Sequence, residues 1–290
     1  MNSIPESELI LNADGSIFHL HLKPENIAPN VILVGDPGRI EMVSKYFDKV
    51  TFEASNREFR TQTGTYKGTS VSVVSTGIGT DNIDIVVNEL DAIVNIDLEK
   101  RIPKVDHTTL NLIRIGTSGA LQGDIPVDTP VVSETSIGFD GLLNFYGDRD
   151  ILGNHDIEQA FIAHTGWNNR LPSPYFADAS KKLVEKIGDG MRKGITISAP
   201  GFYGPQGRVL RLRLNDPDLN DKLMNFEYKG RKISNFEMES SAIAGLSTLL
   251  GHNALTVCSI IANRIRGEYS TDYKKAVDKL IKVVLDRLVE

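Results

Sequence analysis

Short apolar runs alternate with amphipathic stretches along almost the whole chain, and this alternation constrains the fold more than any other feature. Strands are predicted at Val31–Val34, Ser70–Ser75, Leu112–Gly116, Thr129–Ser133, Gly194–Ala199, Ile233–Phe236 and Leu255–Ile261. Helices are predicted at Arg39–Tyr46, Thr80–Leu98, Ala177–Ile187, Met238–Leu250 and Thr271–Leu288. In the last of these, Tyr273, Val277, Leu280, Ile281, Val284 and Leu288 recur at helical spacing behind a Ser270/Thr271 cap, so it faces the core. Strands interleaved with helices make an α/β protein. Several strands end in Gly, Thr or Ser, which suits strand ends that open onto a ligand.

Nothing along the 290 residues reads as a repeat, a low-complexity tract or an interdomain linker, so residues 1–290 are expected to form a single domain behind an extension at 1–16. Gly147–Ser173 departs from the alternation. It is rich in Asp, Asn, Gly and Pro, holds the only tryptophan, Trp167, and reads as a long loop insertion with a short helix around Ile157–Ala163. The net charge of −6 and the lack of a basic block argue against nucleic-acid binding as the main activity. The lone Cys258 excludes an intramolecular disulfide and fits a reducing compartment. Met1–Asn12 lacks the basic-then-apolar signal pattern, and no apolar stretch approaches membrane-spanning length. A cytoplasmic protein without a membrane contact is the expectation.

Several segments carry chemistry. In Phe202-Tyr203-Gly204-Pro205-Gln206-Gly207-Arg208, a side-chain amide and a guanidinium stand two residues apart in a glycine-proline turn. The amide both donates and accepts, whereas the guanidinium only donates. Uracil presents O2, N3–H and O4 along one edge. Gln206 can take O2 and N3–H while Arg208 takes O4 and Phe202 covers the ring; cytosine would set its amino group against the guanidinium. Val31 through Arg39 is a strand entering a Gly35-Asp36-Pro37-Gly38 turn, where backbone N–H groups and Arg39 favour an anion, although a structural turn with a solvated arginine fits equally. Arg114 lies inside an apolar strand followed by Gly116-Thr117-Ser118-Gly119. A charge there needs a partner, either an internal carboxylate or a bound oxyanion held with Arg39 and the Thr117 hydroxyl.

Glu237-Met238-Glu239 joins a strand to a helix. Its carboxylates can accept from a vicinal diol, with methionine against the sugar face, or they can cap the helix. Phe18-His19-Leu20-His21-Leu22 alternates like an edge strand, with His19 and His21 on one face. No third ligand follows at a recognisable spacing, so no metal site is expected. Arg57 precedes a strand beside Glu58. A dinucleotide fingerprint, a Walker lysine and a nucleophile elbow are all absent from the sequence.

Taken in order, these segments resemble the uridine phosphorylase branch of nucleoside phosphorylase family I, from about Phe18 to the C-terminal helix. The motifs are Phe18-His19-Leu20, Gly35-Asp36-Pro37-x-Arg39, Asn56-Arg57-Glu58-Phe59, Ser75 through Gly79, Arg114 through Gly119, Phe202 through Arg208, Glu237-Met238-Glu239-Ser240 and Asn263-Arg264. The resemblance implies a three-layer α/β/α fold with a central mixed, barrel-like sheet, acting as a pentosyltransferase on uridine and phosphate. It implies no cofactor, inorganic phosphate being a co-substrate. It assigns Gly35, Arg39, Arg114 and Thr117 to phosphate, joined by Arg57 of a neighbouring subunit. It assigns Glu237, Met238 and Glu239 to ribose, with His19 of the neighbour at the 5′-hydroxyl. Phe202, Gln206 and Arg208 take the base, Arg264 supports the base loop, and Arg208, Gln206, Glu239 and Arg114 are the catalytic set. Shared sites imply at least a homodimer, and bacterial relatives are often hexamers, as trimers of dimers. Purine-specific relatives carry an aspartate just after the late apolar strand, where this chain has Asn263. Some relatives hold potassium at the dimer interface with a glutamate matching Glu58 and a serine that is replaced here by Asn82, which speaks against that ion.

Overall fold

The structure is a computed structural model that describes residues 3–290; Met1 and Asn2, the start of the N-terminal extension, lie outside the described residues. All seven predicted strands form, several of them longer than expected. The longer strands are β1 (Asn30–Val34), β2 (Lys49–Asn56), β3 (Phe59–Tyr66), β4 (Thr69–Ser75), β5 (Asn111–Ala120), β6 (Pro130–Gly138), β7 (Tyr175–Asp178), β8 (Arg192–Ser198), β9 (Arg231–Glu237) and β10 (Asn253–Asn263). They lie in one mixed sheet in the order β9-β8-β6-β10-β5-β1-β4-β3-β2, with β7 beside β6. β9 also pairs antiparallel with β5 through Asn235–Ala120 and Phe236–Gly119. That pairing closes β5, β10, β6, β8 and β9 into a ring, and β1 to β4 extend from it as an open wing.

Seven α-helices cover the sheet among the described residues: α1 (Ile40–Ser44), α2 (Thr80–Asn95), α3 (His155–Thr165), α4 (Lys181–Ile187), α5 (Leu219–Asn225), α6 (Ser240–Leu249) and α7 (Tyr273–Val289). Alternation along β1 explains the layering. Val31 and Leu33 pack with α2 and α6 on one face, whereas Ile32 and Val34 pack with α1, α4 and α7 on the other. A strand buried on both faces reads as a continuous apolar run, as β1 does. On α7, Val277, Leu280, Ile281, Val284, Leu285 and Leu288 are buried, each worth roughly 1.5–3 kcal/mol of transfer free energy. Its cap differs from the expectation: Asp272 accepts from the Lys275 N–H, while the Ser270 hydroxyl donates to Asp128 at 2.6 Å.

Four further expectations are corrected. Phe18–Leu22 is a turn, not an edge strand; His21 has φ of 53°, so His19 and His21 share no strand face. The predicted helix Ala177–Ile187 begins as β7, and helix starts only at Lys181, because Tyr175–Ala177 are buried against the barrel. The strand expected after Arg57 forms as β3, whereas β2 is not among the predicted strands, since its exposed and half-exposed residues lack an apolar run. The 147–173 insertion is more ordered than a loop. It carries a 3-10 turn at Arg149–Leu152 and α3, whose Ile157 and Phe161 enter a third core with Trp167 packed against it. Buried Glu158 accepts from Arg149 at 2.9 Å. No helix is long and apolar enough to cross a membrane among the described residues.

Candidate active site

β1, β4 and β5 run parallel to one another, and the C-terminal ends of such strands are where α/β proteins bind ligands; β9, antiparallel to β5, ends at Glu237 beside Arg114. Arg114 on β5 is the centre of this region and is only 5% exposed. Its Nη2 pairs with Glu239 and lies 3.6 Å from Glu237. Its Nη1 points at the Cys258 thiol at 3.6 Å. Its Nε is buried with no acceptor. The side chain fits because Gly116, two residues on and on the same strand face, has no Cβ; one added there would lie 1.7 Å from Nη1. Burial opposes the charge on Arg114, but Glu239 and Glu237 outweigh it and hold the guanidinium protonated.

Arg39, at the turn after β1, reaches across to the Thr117 hydroxyl at 3.5 Å. Burial, then the nearby Arg114, lowers its pKa. Two neighbouring guanidiniums and a donor lacking an acceptor are the chemistry that an oxyanion can satisfy. Gly35 approaches the turn after β4 closely, since a Cβ would be 3.4 Å from the Gly77 carbonyl.

Glu237 and Glu239 divide two roles that the sequence left open. Glu237 ends β9 and caps α6: it accepts from the N–H groups of Glu239 and Ser240 at 2.9 Å and from the hydroxyls of Ser198 and Ser240 at 2.6 and 2.7 Å. Its hydrogen-bonding capacity is spent on the fold. Glu239 accepts only from Arg114 and from the Gly79 N–H at 2.8 Å. Burial raises the pKa of its carboxyl against the pull of Arg114. Met238, between them, is half-buried.

The base segment is a 3-10 turn, Gly204–Gln206, with Gly207 in the left-handed region at φ of 69°. Gln206 is buried, and its Oε1 accepts from Arg208 at 2.6 Å. That bond fixes which way the amide faces while leaving Oε1 a second lone pair. The Arg208 guanidinium also lies 3.7 Å above the Phe202 ring. Burial, then the proximity of Arg264, brings its pKa down to about 10. Arg264 donates to the Gln206 carbonyl at 2.7 Å. Asn263 in turn donates to the carbonyls of Gln122 and Ile125 and accepts from the N–H groups of Ile265 and Arg266. Every polar atom of its side chain is used to fold the turn that carries Arg264.

Arg208 lines a mainly apolar cavity of about 790 Å³ between the insertion, through Trp167, Leu171 and Pro172, and the segment Leu210–Asp216. Arg39, Arg114 and Glu239 lie outside its lining, as do Phe202 and Gln206.

His19 and Arg57 stand together, apart from this group. Arg57 is exposed at the β2–β3 hairpin tip with φ of 54°. The neighbouring Asn56 donates to the His19 carbonyl at 2.9 Å, and His19 Nδ1 meets Glu89 at 2.6 Å. Glu58 and Asn82 flank the Gly77 turn, where the Asn82 amide nitrogen faces the Ile78 carbonyl at 3.5 Å. Elsewhere, Asp91, His107 and His252 come within ligating distance of one another. However, His252 Nδ1 accepts from the Leu110 N–H at 3.1 Å, so its proton sits on Nε2, 3.2 Å from Asp91, where a metal would need a lone pair.

Reading by motif gave no role to Ser198 or Cys258, each of which acts by lying against a residue distant in the chain. Gly79 and Ser240 stand inside quoted motifs, but their bonds to Glu239 and Glu237 were not foreseen.

A mixed sheet closed into a five-stranded barrel and covered by helices is the fold of the nucleoside phosphorylases. Residues 29–290 match the family described as Phosphorylase superfamily, and the chain belongs to it. The chain is 29% identical over 283 residues to the uridine phosphorylase of Thermococcus kodakarensis, covering 96% of this chain and 87% of that one. It is also 28% identical over 278 residues to a DeoD-type purine nucleoside phosphorylase of Bacillus cereus, covering 94% and 98%. The solved Trypanosoma brucei nucleoside phosphorylase, described as showing uridine phosphorylase activity, superposes with a TM-score of 0.84 at 29% identity, over 97% of this chain and 99% of that one.

Proposed function

We propose that the protein is a uridine phosphorylase, converting uridine and phosphate reversibly to uracil and α-D-ribose 1-phosphate in pyrimidine salvage and nucleoside catabolism. The observation that carries this reading is the buried Nε of Arg114, a donor without an acceptor, beside Arg39 and Thr117 and one ion pair away from Glu239. That is a place for an oxyanion next to a place for ribose.

In the reaction the C1′–N1 bond breaks with its electron pair going to uracil, while a phosphate oxygen bonds to C1′ from the opposite face and inverts it. Phosphate is already an anionic nucleophile, so Arg39 and Arg114 need to hold it beneath C1′ without activating it. Much of the rate then comes from orientation. Glu239 accepts from the ribose hydroxyls and fixes C1′. The departing uracil becomes electron-rich at its oxygens, where Arg208 and the Gln206 amide aim their donors. A preorganised donor of this kind is worth about 2.7–4 kcal/mol. Direct displacement differs from two-carboxylate glycosidases, which activate water or form a covalent intermediate.

Asn263 favours pyrimidine over purine. An aspartate in its place would lose the two amide N–H donors to Gln122 and Ile125, so this turn is built for an amide and offers no acid to a purine N7. Arg57 and His19 of a second copy complete the phosphate and ribose sites in this reading, which makes the unit a homodimer at least, and a homohexamer if dimers assemble in threes. The reaction as written needs no cofactor. A buried, unpaired Cys258 suits the cytoplasm. The test is a nucleoside panel with and without inorganic phosphate, read by base release. Phosphate-dependent release of uracil is expected; release without phosphate, or preference for purines, overturns the reading.

A further inference from the structure

Cys258 takes no part in the chemistry above, yet Arg114 rests on it. β10 runs parallel to β5 with Cys258 opposite Gly116, so the thiol lies where the Arg114 guanidinium folds back over the glycine. A Cβ on Gly116 would meet Nη1 at 1.7 Å and the Cys258 sulfur at 2.9 Å, which shows how closely the three groups pack. Glu239 takes Nη2, the thiol sulfur faces Nη1 at 3.6 Å, and Nε alone is left buried without an acceptor. With two nitrogens fixed, a planar guanidinium has no freedom left to turn Nε elsewhere.

We infer that Cys258 is a positioning residue of the oxyanion site: its neutral thiol is the acceptor that sets the Arg114 plane and so holds Nε, the donor left without an acceptor, in place for the incoming phosphate. This rests on the phosphate reading of that site. Neutrality matters because Arg114 already faces two carboxylates, and a third anion would oppose phosphate. Burial keeps the thiol protonated, pushing its pKa up to about 12. A thiol this hard to ionise is a poor nucleophile, so the residue is not a covalent catalyst. Its softness is also useful. A carboxylate there would compete for the guanidinium, and an apolar side chain would leave a buried donor unanswered.

The experiment compares steady-state kinetics of wild type, Cys258→Ala, Cys258→Val and Cys258→Ser, with Val257→Ala as a packing control. Val257 is the adjacent buried position on β10 and packs into the opposite core. Cys258→Ala and Cys258→Val remove the acceptor with and without leaving a cavity, so one of them reports even if the other folds poorly. Both are expected to raise KM for inorganic phosphate roughly fivefold to twentyfold, the effect of one lost buried acceptor, with KM for uridine within about twofold of wild type. Cys258→Ser should recover most of the loss, and Val257→Ala should lower Tm without moving KM for phosphate. The inference is overturned if both acceptor-less variants keep the wild-type KM for phosphate. An equal rise in Val257→Ala also overturns it, since packing would then be the cause. A wild type whose turnover ignores phosphate would instead sink the phosphorolysis reading itself.

Discussion

Removing Glu239 should loosen the protein and redistribute its affinities in opposite directions. In Glu239→Ala, Arg114 loses its main counter-ion in a site where it is 5% exposed, and the Gly79 N–H loses its acceptor. Glu237 cannot replace it, lying 3.6 Å from Nη2 with its oxygens committed to the α6 cap. Breaking a buried ion pair from one side costs about 3–5 kcal/mol. At roughly 2 °C per kcal/mol for a chain of this size, Tm should fall by about 6–10 °C. Phosphate then acts unequally. At a hundred times its Kd it stabilises any binder by about 2.7 kcal/mol. In the variant it should do more, because it also supplies the anion Arg114 has lost; an unscreened pair at 4 Å and an effective dielectric of 20 sets the upper scale near 4 kcal/mol. Uridine should lose affinity, since its ribose hydroxyls lose their acceptor. Thermal melts across a phosphate titration, with KM for both substrates, check this. A Tm drop below about 2 °C, equal phosphate shifts in both proteins, or equal changes in the two KM values would refute the division of labour between Arg114 and Glu239.

Arg208→Ala should lower kcat/KM for uridine by about a hundredfold or more, a loss of roughly 2.7 kcal/mol, and near wild-type turnover would refute the clamp. Arg264→Ala removes only the bond to the Gln206 carbonyl, so kcat/KM should fall about tenfold and melting should barely change; a loss equal to that of Arg208→Ala would mean that Arg264 touches the base itself. Arg57→Ala and Arg208→Ala, each inactive alone, should regain activity when their subunits are mixed and exchange is demonstrated by mass, and no recovery after exchange would sink the shared site.

The fold was legible where burial was complete. β1 is apolar at nearly every position because helices cover both its faces, and such a run needs no knowledge of its partners. β2 was illegible for the converse reason. Its residues are exposed or half-exposed throughout, and it is held as a strand by pairing with β3, which in turn pairs with β4. Phe18–Leu22 misled through an alternation that comes from a turn held by Glu89, which accepts from the N–H groups of both His19 and Leu20. In the site, charged residues announced themselves. What the sequence could not say was which partner each one found. Arg114 had two candidate partners, a carboxylate and an oxyanion, and the structure pairs it with Glu239 while leaving Nε for the other. Glu237 and Glu239 are indistinguishable as letters; the turn into α6 separates a cap from a free acceptor. Gly116 and Cys258 matter only through a pairing between strands more than a hundred residues apart.

Charge arithmetic also argues against one chain forming the whole site. Arg114 faces Glu237 and Glu239, and Arg39 has Asp36 nearby, so these groups carry no surplus of positive charge. A phosphate dianion entering such a largely desolvated pocket would lack compensation, and burying an unpaired charge is costly. Protonating Glu239 would restore the balance, but at the cost of the carboxylate that the ribose hydroxyls need. A further cation avoids that conflict. Arg57 has the properties such a group requires: it is held out on a rigid hairpin in a backbone conformation unusual for a non-glycine residue, and no acceptor for its guanidinium is found among the described residues. In the proposed dimer such an arginine would reach the site of the neighbouring copy. The same hairpin holds His19 through Asn56, so one protruding unit would deliver a cation to phosphate and an imidazole to ribose in a single docking event. Assembly and substrate binding are then the same electrostatic problem, and phosphate should favour association of the subunits as strongly as association favours phosphate.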